Sequence, residues 1–154
     1  MLTGEVQDDL ASLTDRARAL ILAIGKPVAD DPTKGLTPSE LAGCVTRTLA
    51  LPEIVELRPT LAPEFPIYAS TEMEGVEQAT AGIIDATSFG PDGKPKVVID
   101  WKSDVQPTPE TIDHYRAQVR NYLDVTGTER GLIVLVTTGD IIAVTPATIA
   151  AVVA

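Results

Sequence analysis

Two short apolar runs in the second half of the chain each carry ionic charge, and this restricts what the chain can fold into. Gly82-Ile83-Ile84-Asp85-Ala86 holds one carboxylate; fifteen residues on, Val97-Val98-Ile99-Asp100-Trp101-Lys102 holds a second carboxylate and an ammonium. Val, Ile and Trp favour strands, so both runs read as neighbouring strands of one sheet. Charge in such runs is costly to bury unless it is paired or binds metal. Side chains alternate along a strand, which puts Asp100 and Lys102 on the same face. The plain alternative for that pair is an ordinary ion pair on a solvated sheet face. For Asp85 alone it is a solvated acid at a strand end.

The 154 residues suffice for one domain with a single core, and 44% hydrophobic against 22% charged residues is a globular composition. The expected organisation is one domain over 1–154: a helical part over 1–60, a core over 64–137 and a C-terminal extension over 138–154. The longest uncharged apolar run, Gly131 to Val136, is far too short to span a bilayer, and Met1 to Leu10 lack the pattern of a signal peptide. A lone cysteine, Cys44, excludes an internal disulfide and a four-cysteine zinc or iron–sulfur site. A cytoplasmic protein without membrane contact is the expectation. Twelve basic against 22 acidic residues give a net charge of −10, which argues against a free-standing, tight nucleic-acid binder. The excess is −7 over residues 1–78 and −3 over 79–154.

Helical spacing of Val6, Leu10, Leu13, Ala17, Leu20, Ile21 and Ile24 predicts a helix over 5–24, ended by Gly25 and Pro27. Thr37-Pro38-Ser39-Glu40 starts a second helix to about Leu51, with Leu41, Val45 and Leu49 as its apolar stripe. Pro52, Pro59 and Pro63 break up the stretch after it. Strands are expected over 64–70, 79–89 and 96–102, with a Gly90-Pro91-Asp92-Gly93 turn between the last two. Thr108-Pro109-Glu110-Thr111 opens a helix that stops near Gly127, and 130–137 reads as a strand buried on both faces. Asp140 to Val144 is a candidate further element, and Thr145-Pro146 caps a short C-terminal helix.

Two acids that share a divalent cation, with a lysine beside them, suit phosphodiester hydrolysis. That reaction needs an activated water and stabilisation of charge on the phosphate and leaving oxygen. Mg2+ or Mn2+ supplies both while binding hard oxygen ligands. Asp85 and Asp100 are the proposed ligands, and Lys102 would position or deprotonate the water and offset phosphate charge. Other chemistry is scarce. His114 is the single histidine, on a polar helix side, and Cys44 reads as a small buried hydrophobe. No phosphate-binding Gly-x-x-x-x-Gly-Lys-Ser/Thr is present, so an ATPase motor would belong to another chain or another part of the protein. Arg116 and Arg120, one turn apart, suit either phosphate contacts or a solvated helix face.

Gly82-x-x-Asp85, Asp100-x-Lys102 and Tyr115-x-x-Gln118-x-x-x-Tyr122, in order across Glu64 to Val136, resemble the PD-(D/E)xK nuclease superfamily. More narrowly, they are similar to the RecB-like nuclease domain at the end of AddA-type helicase–nucleases. The resemblance implies a restriction-endonuclease-like α/β core of order α-β-β-β-α-β, a mixed central sheet flanked by helices. It implies a Mg2+- or Mn2+-dependent deoxyribonuclease, the exonuclease module of a bacterial recombinational-repair enzyme, with DNA as substrate and a helicase domain or subunit as partner. Beyond the two acids and the lysine, it adds the backbone carbonyl of Trp101 as a metal ligand and Glu64 as the acid before the first core strand. It makes Gln118, Tyr122 and Tyr115 substrate-binding residues that brace the site and contact DNA. Glu64 also suits a solvated strand start, and Tyr122 a half-buried core aromatic whose hydroxyl finds a partner. Domains of this family often add a histidine ligand from the preceding helix. Residues 5–24 contain none, which leaves two possibilities: the gene is truncated there, or an acid such as Glu5 substitutes. That departure and the −10 charge support a rival: a catalytically degenerate domain acting as a DNA-guiding or docking module. A stand-alone phage or restriction-type nuclease is a further alternative.

Overall fold

The computed structural model describes residues 6–73 and 76–147, with backbone alone for 71–73, 76–78 and 80. Three helices come first: α1 (Leu10–Ala23), α2 (Pro38–Leu49) and α3 (Pro52–Leu57). A 3-10 turn (Arg58–Thr60) leads into β1 (Leu61–Met73), β2 (Val76–Phe89) and β3 (Pro95–Lys102). Beyond them lie α4 (Pro109–Thr126), β4 (Gly131–Leu135) and β5 (Asp140–Val144). The strands form one sheet in the order β1-β2-β3-β4-β5, antiparallel except for the parallel β3–β4 pair. A parallel pair cannot be closed by a hairpin, and α4 is its crossover. The molecule is an α/β domain with a mixed central sheet and helices against it.

Local chemistry explains the boundaries. α1 begins at Leu10 rather than residue 5, because the Asp9 carboxylate accepts the Ser12 N–H and caps the helix there. Thr37 and Thr108 cap α2 and α4 by accepting the N–H groups of Glu40 and Thr111. The Pro52 region, expected to be broken, contains α3: Pro52 occupies the first turn, where its missing N–H costs nothing. Gly127, at φ 67°, ends α4 in the left-handed conformation open to glycine. The helix expected after Thr145-Pro146 lies outside the described residues, as does Glu5. No described helix is long and apolar enough to cross a membrane.

The sheet has a core on each face. On one, α4 lays Val119, Tyr122 and Leu123 over Ile67, Ile84, Val98, Ile133 and Leu135. On the other, Ile54 of α3 and Leu49 of α2 pack on Ala86, Val97, Ile99, Leu132 and Val134. β4 is therefore buried on both faces, as its unbroken apolar run predicts. α4 comes so close to the start of β4 that a Cβ on Gly131 would lie 2.3 Å from Val119 Cγ1. α1 packs mainly on α2, through Leu13, Ala17 and Ile21; Leu10, Leu20 and Ile24 of its expected stripe are exposed. In α2 the buried residues are Pro38, Ala42 and Thr48, and Leu41 of its expected stripe is exposed.

Candidate functional site

The central strand sets the geometry. Val98 of β3 faces α4, whereas Val97 and Ile99 face α3. Alternation then puts Asp100 and Lys102 on the α4 side and the Trp101 ring on the other, where it packs against the cluster that holds Ile54, Val97 and Ile99.

β1 and β2 depart from regularity at this level. Ile84 packs beneath α4, yet Ala86, two residues on, packs on the opposite face. Across from them, Phe65 faces α4 and Leu61 faces α3. A regular strand keeps residues separated by even steps on one side, so both strands reverse their faces between these points. The β1–β2 ladder skips the Glu64–Asp85 pair, and Glu64 has φ 51°, in the left-handed region that costs a non-glycine residue about 1–2 kcal/mol. The β2–β3 ladder runs only as far as Ala86↔Ile99. Where the next backbone bond would form, the Asp85 carboxylate accepts the Trp101 N–H at 2.8 Å. Within a strand residue the N–H and C=O point to the same edge, so the Trp101 carbonyl opens towards the same gap.

Asp100 is only 2% exposed. Its Oδ2 lies 2.8 Å from Lys102 Nζ, so the buried carboxylate oxygen has the ammonium as its charge partner and no further donor. Burial raises the Asp100 pKa above the ordinary carboxylate value. Lys102 pulls it back, and the adjacent Asp85 carboxyl pushes it further up. The two acids are therefore neighbours in one gap.

Lys102, with 17% of its side chain exposed, also donates to Gln118 Oε1 at 3.2 Å, and its ammonium lies 4.6 Å from the centre of the Tyr115 ring. Gln118 Nε2 donates to the Tyr122 hydroxyl at 2.8 Å, and that hydroxyl donates to the Ile83 carbonyl at 3.4 Å. A line of polar contacts thus runs from β3 through one face of α4 to β2, two residues before Asp85. Tyr122 is a core aromatic with a partnered hydroxyl, and Gln118 interrupts the apolar stripe because it bridges two polar groups. The Tyr115 hydroxyl donates at 2.8 Å to Asp104, an acid in the loop after β3 that no motif in the sequence marks.

Asp85, Asp100, Lys102, Gln118, Tyr122 and Tyr115 are thus assembled in one place. Glu64 is exposed beside them, and among the described residues no third acid, histidine or cysteine joins Asp85 and Asp100 in a metal-binding group. Gly82 is not forced by space, since a Cβ there would meet Ile67 and Tyr122 at ordinary contact distances. Arg116 pairs with Asp113; His114 and Arg120 are exposed. Cys44 is half-buried, and its sulfur accepts from Arg47. Two hard carboxylates, one of them buried with the Lys102 ammonium as its one cationic neighbour, fit Mg2+ or Mn2+, which retain waters and need only one or two protein carboxylates.

No family model matches the sequence, and no curated protein does. Among solved structures, the fold is similar to the crystal structure of SSO0001, at 19% identity and a TM-score of 0.50. The match covers 87% of this chain and 63% of that one, so this chain spans less than two thirds of the neighbour's length. At this identity the likeness is one of fold.

Proposed function

We propose that this chain is a divalent-metal-dependent DNA nuclease of the PD-(D/E)xK type, serving as the exonuclease module of a recombinational-repair helicase–nuclease in the cytoplasm. The observation that carries the reading is the convergence of Asp85, Asp100 and Lys102 in the gap where β2 leaves β3, with the Asp100 carboxylate buried there beside the second acid. A buried acid beside a second acid is costly to keep, and a hard cation offsets that cost.

Asp85 and Asp100 would hold the cation, with the Trp101 carbonyl facing the same gap. When bound, it lowers the pKa of water and polarises phosphoryl oxygens. Lys102, steadied by Asp100 and Gln118, orients the attacking water and offsets charge gathering on the phosphate. Gln118 and Tyr122 hold that lysine and the Ile83 backbone in register, and Tyr122 extends the support to the strand carrying Asp85.

The test is Mn2+-dependent cleavage of a labelled DNA strand by Asp100→Ala and Lys102→Ala proteins. Each change is expected to lower the rate by at least about 100-fold, on the scale of losing an electrostatic or proton-transfer contribution. Unchanged cleavage by either variant refutes the assignment. A second reading, a fold kept as a DNA-guiding or docking module without cutting, is favoured by the −10 charge. Calorimetry with Mn2+ separates the two: heat of binding that vanishes in Asp85→Ala supports the nuclease, and its absence in the wild type supports the module.

A further inference from the structure

The feature that the proposed chemistry leaves unused is the pair Tyr115–Asp104. Tyr115 lies in the second turn of α4, Asp104 in the loop after β3. The Tyr115 hydroxyl donates to Asp104 Oδ2 at 2.8 Å, and the Asp104 carbonyl accepts from Thr137 Oγ1 at 2.7 Å, beyond the end of β4. Three separate segments thus fix one ring, and the ring's face is 4.6 Å from Lys102 Nζ. Lysine is a flexible four-carbon stem that gains little from any single contact. Here the ammonium has a carboxylate at 2.8 Å, an amide oxygen at 3.2 Å and an aromatic face on a third side.

We infer that Tyr115 is a positioning residue for Lys102, with Asp104 acting through it. The ring attracts the ammonium by its negative face. Donation of the phenolic proton to a carboxylate enriches that face in electrons and prevents the ring from swinging away. The Asp104 hydrogen bond and burial raise the Tyr115 pKa, in keeping with a phenol that remains protonated and donating. With its hydroxyl engaged by Asp104 and its face by Lys102, Tyr115 serves the lysine rather than the substrate. The catalytic significance of this arrangement rests on the nuclease reading; the positioning itself does not.

Two readouts keep these apart. In the folded protein, the ε-methylene protons of Lys102 are expected to resonate upfield through the Tyr115 ring current, whether or not the protein cuts DNA. The shift shrinks to a similar extent in Tyr115→Phe and Asp104→Ala, which lose the same hydrogen bond, and disappears in Tyr115→Leu, which loses the ring. A wild-type Lys102 without an upfield shift overturns the positioning, and a shift unaltered in Asp104→Ala overturns the part given to Asp104. In Mn2+-dependent cleavage, Tyr115→Leu is expected to lower kcat by about 5- to 30-fold, the equivalent of a cation–π contact of roughly 1–2 kcal/mol. KM and Mn2+ affinity stay unchanged, and Tyr115→Phe, which keeps the ring face but loses the Asp104 hydrogen bond, recovers part of the rate. A raised KM with unchanged kcat, or a Phe variant as slow as the Leu variant, overturns the proposal. A wild type that shows the ring-current shift but no cleavage refutes the nuclease reading and leaves the positioning intact. Circular dichroism of each variant identifies any that is merely unfolded, in which case Tyr115→Phe and Asp104→Asn carry the comparison.

Discussion

Gly131→Ala couples the packing of α4 to the chemistry of the site. The added Cβ would lie 2.3 Å from Val119 Cγ1 and about 3.5 Å from the Leu123 methyls. Ordinary contact begins near 3.4 Å, so Val119 must retreat by about 1 Å. A fully buried valine on a packed helix cannot do so alone, and the helix moves with it. Overpacking of this kind costs about 1–3 kcal/mol. For a domain of this size that corresponds to a fall in Tm of roughly 2–12 °C. Gln118 and Tyr122 flank Val119 on the same helix, and the Gln118–Lys102 contact at 3.2 Å has little slack before it is lost. A misplacement of about 1 Å can lower catalysis on the order of 100-fold. Thermal unfolding followed by circular dichroism reads the first effect, and DNA cleavage, under the proposed function, reads the second. Val119→Ala removes the obstructing methyl, so the double variant should be less destabilised than the two single losses added together. A Gly131→Ala protein with unchanged Tm, or strict additivity in the double variant, refutes the reasoning.

Other consequences are simpler to read. Since burial raises the Asp100 pKa, the folded state holds that proton more tightly than the unfolded chain. Stability of the metal-free protein should therefore fall as pH rises from about 4, the unfolded value, through the folded pKa. Asp100→Asn should abolish that part of the slope in urea titrations run upward from about pH 4; an identical slope in the variant contradicts it. Glu64 at φ 51° is strained, and Asn tolerates that conformation, so Glu64→Asn should raise stability by about 1 kcal/mol. A loss of stability in the same titration would show that the Glu64 side chain contributes more than its backbone costs. Thr108→Ala removes the cap of α4 and should cost about 1 kcal/mol, a Tm decrease of some 2–4 °C in a melt.

Much of this architecture can be read from the residues themselves. β3 follows from a β-branched run whose last four positions alternate in chemistry, and α4 from a Thr-Pro start and a Gly stop. The neighbourhood of Asp85, Asp100 and Lys102 follows from strand alternation plus the short turn between β2 and β3. What escaped is tertiary. Pro52 resembles a breaker until its position in a first turn is known. Nothing in Pro63-Glu64-Phe65 announces a left-handed glutamate or a reversal of faces. That reversal is what takes Asp85 out of the ladder to accept the Trp101 N–H. Leu10, Leu20 and Ile24 fit a helical stripe, yet α1 packs mainly on α2 and leaves them exposed. Asp104 is one polar loop residue among several, and only the fold brings it to Tyr115.

The end of the β2–β3 ladder at Ala86 has a consequence for motion. Above that level the backbone of β2 is tied on both sides; below it, the ladder of β2 continues with β1 alone. Opening free energies within a protein fall where tertiary contacts thin out, so amides of 67–72 should exchange with solvent faster than those of 97–101. Asp85 sits at the frontier, with its carboxylate reaching across to Trp101 on the slow side. Whatever ion Asp85 and Asp100 grip together would stitch a breathing hairpin to an unyielding centre, and the hairpin's exchange would report the grip from a distance.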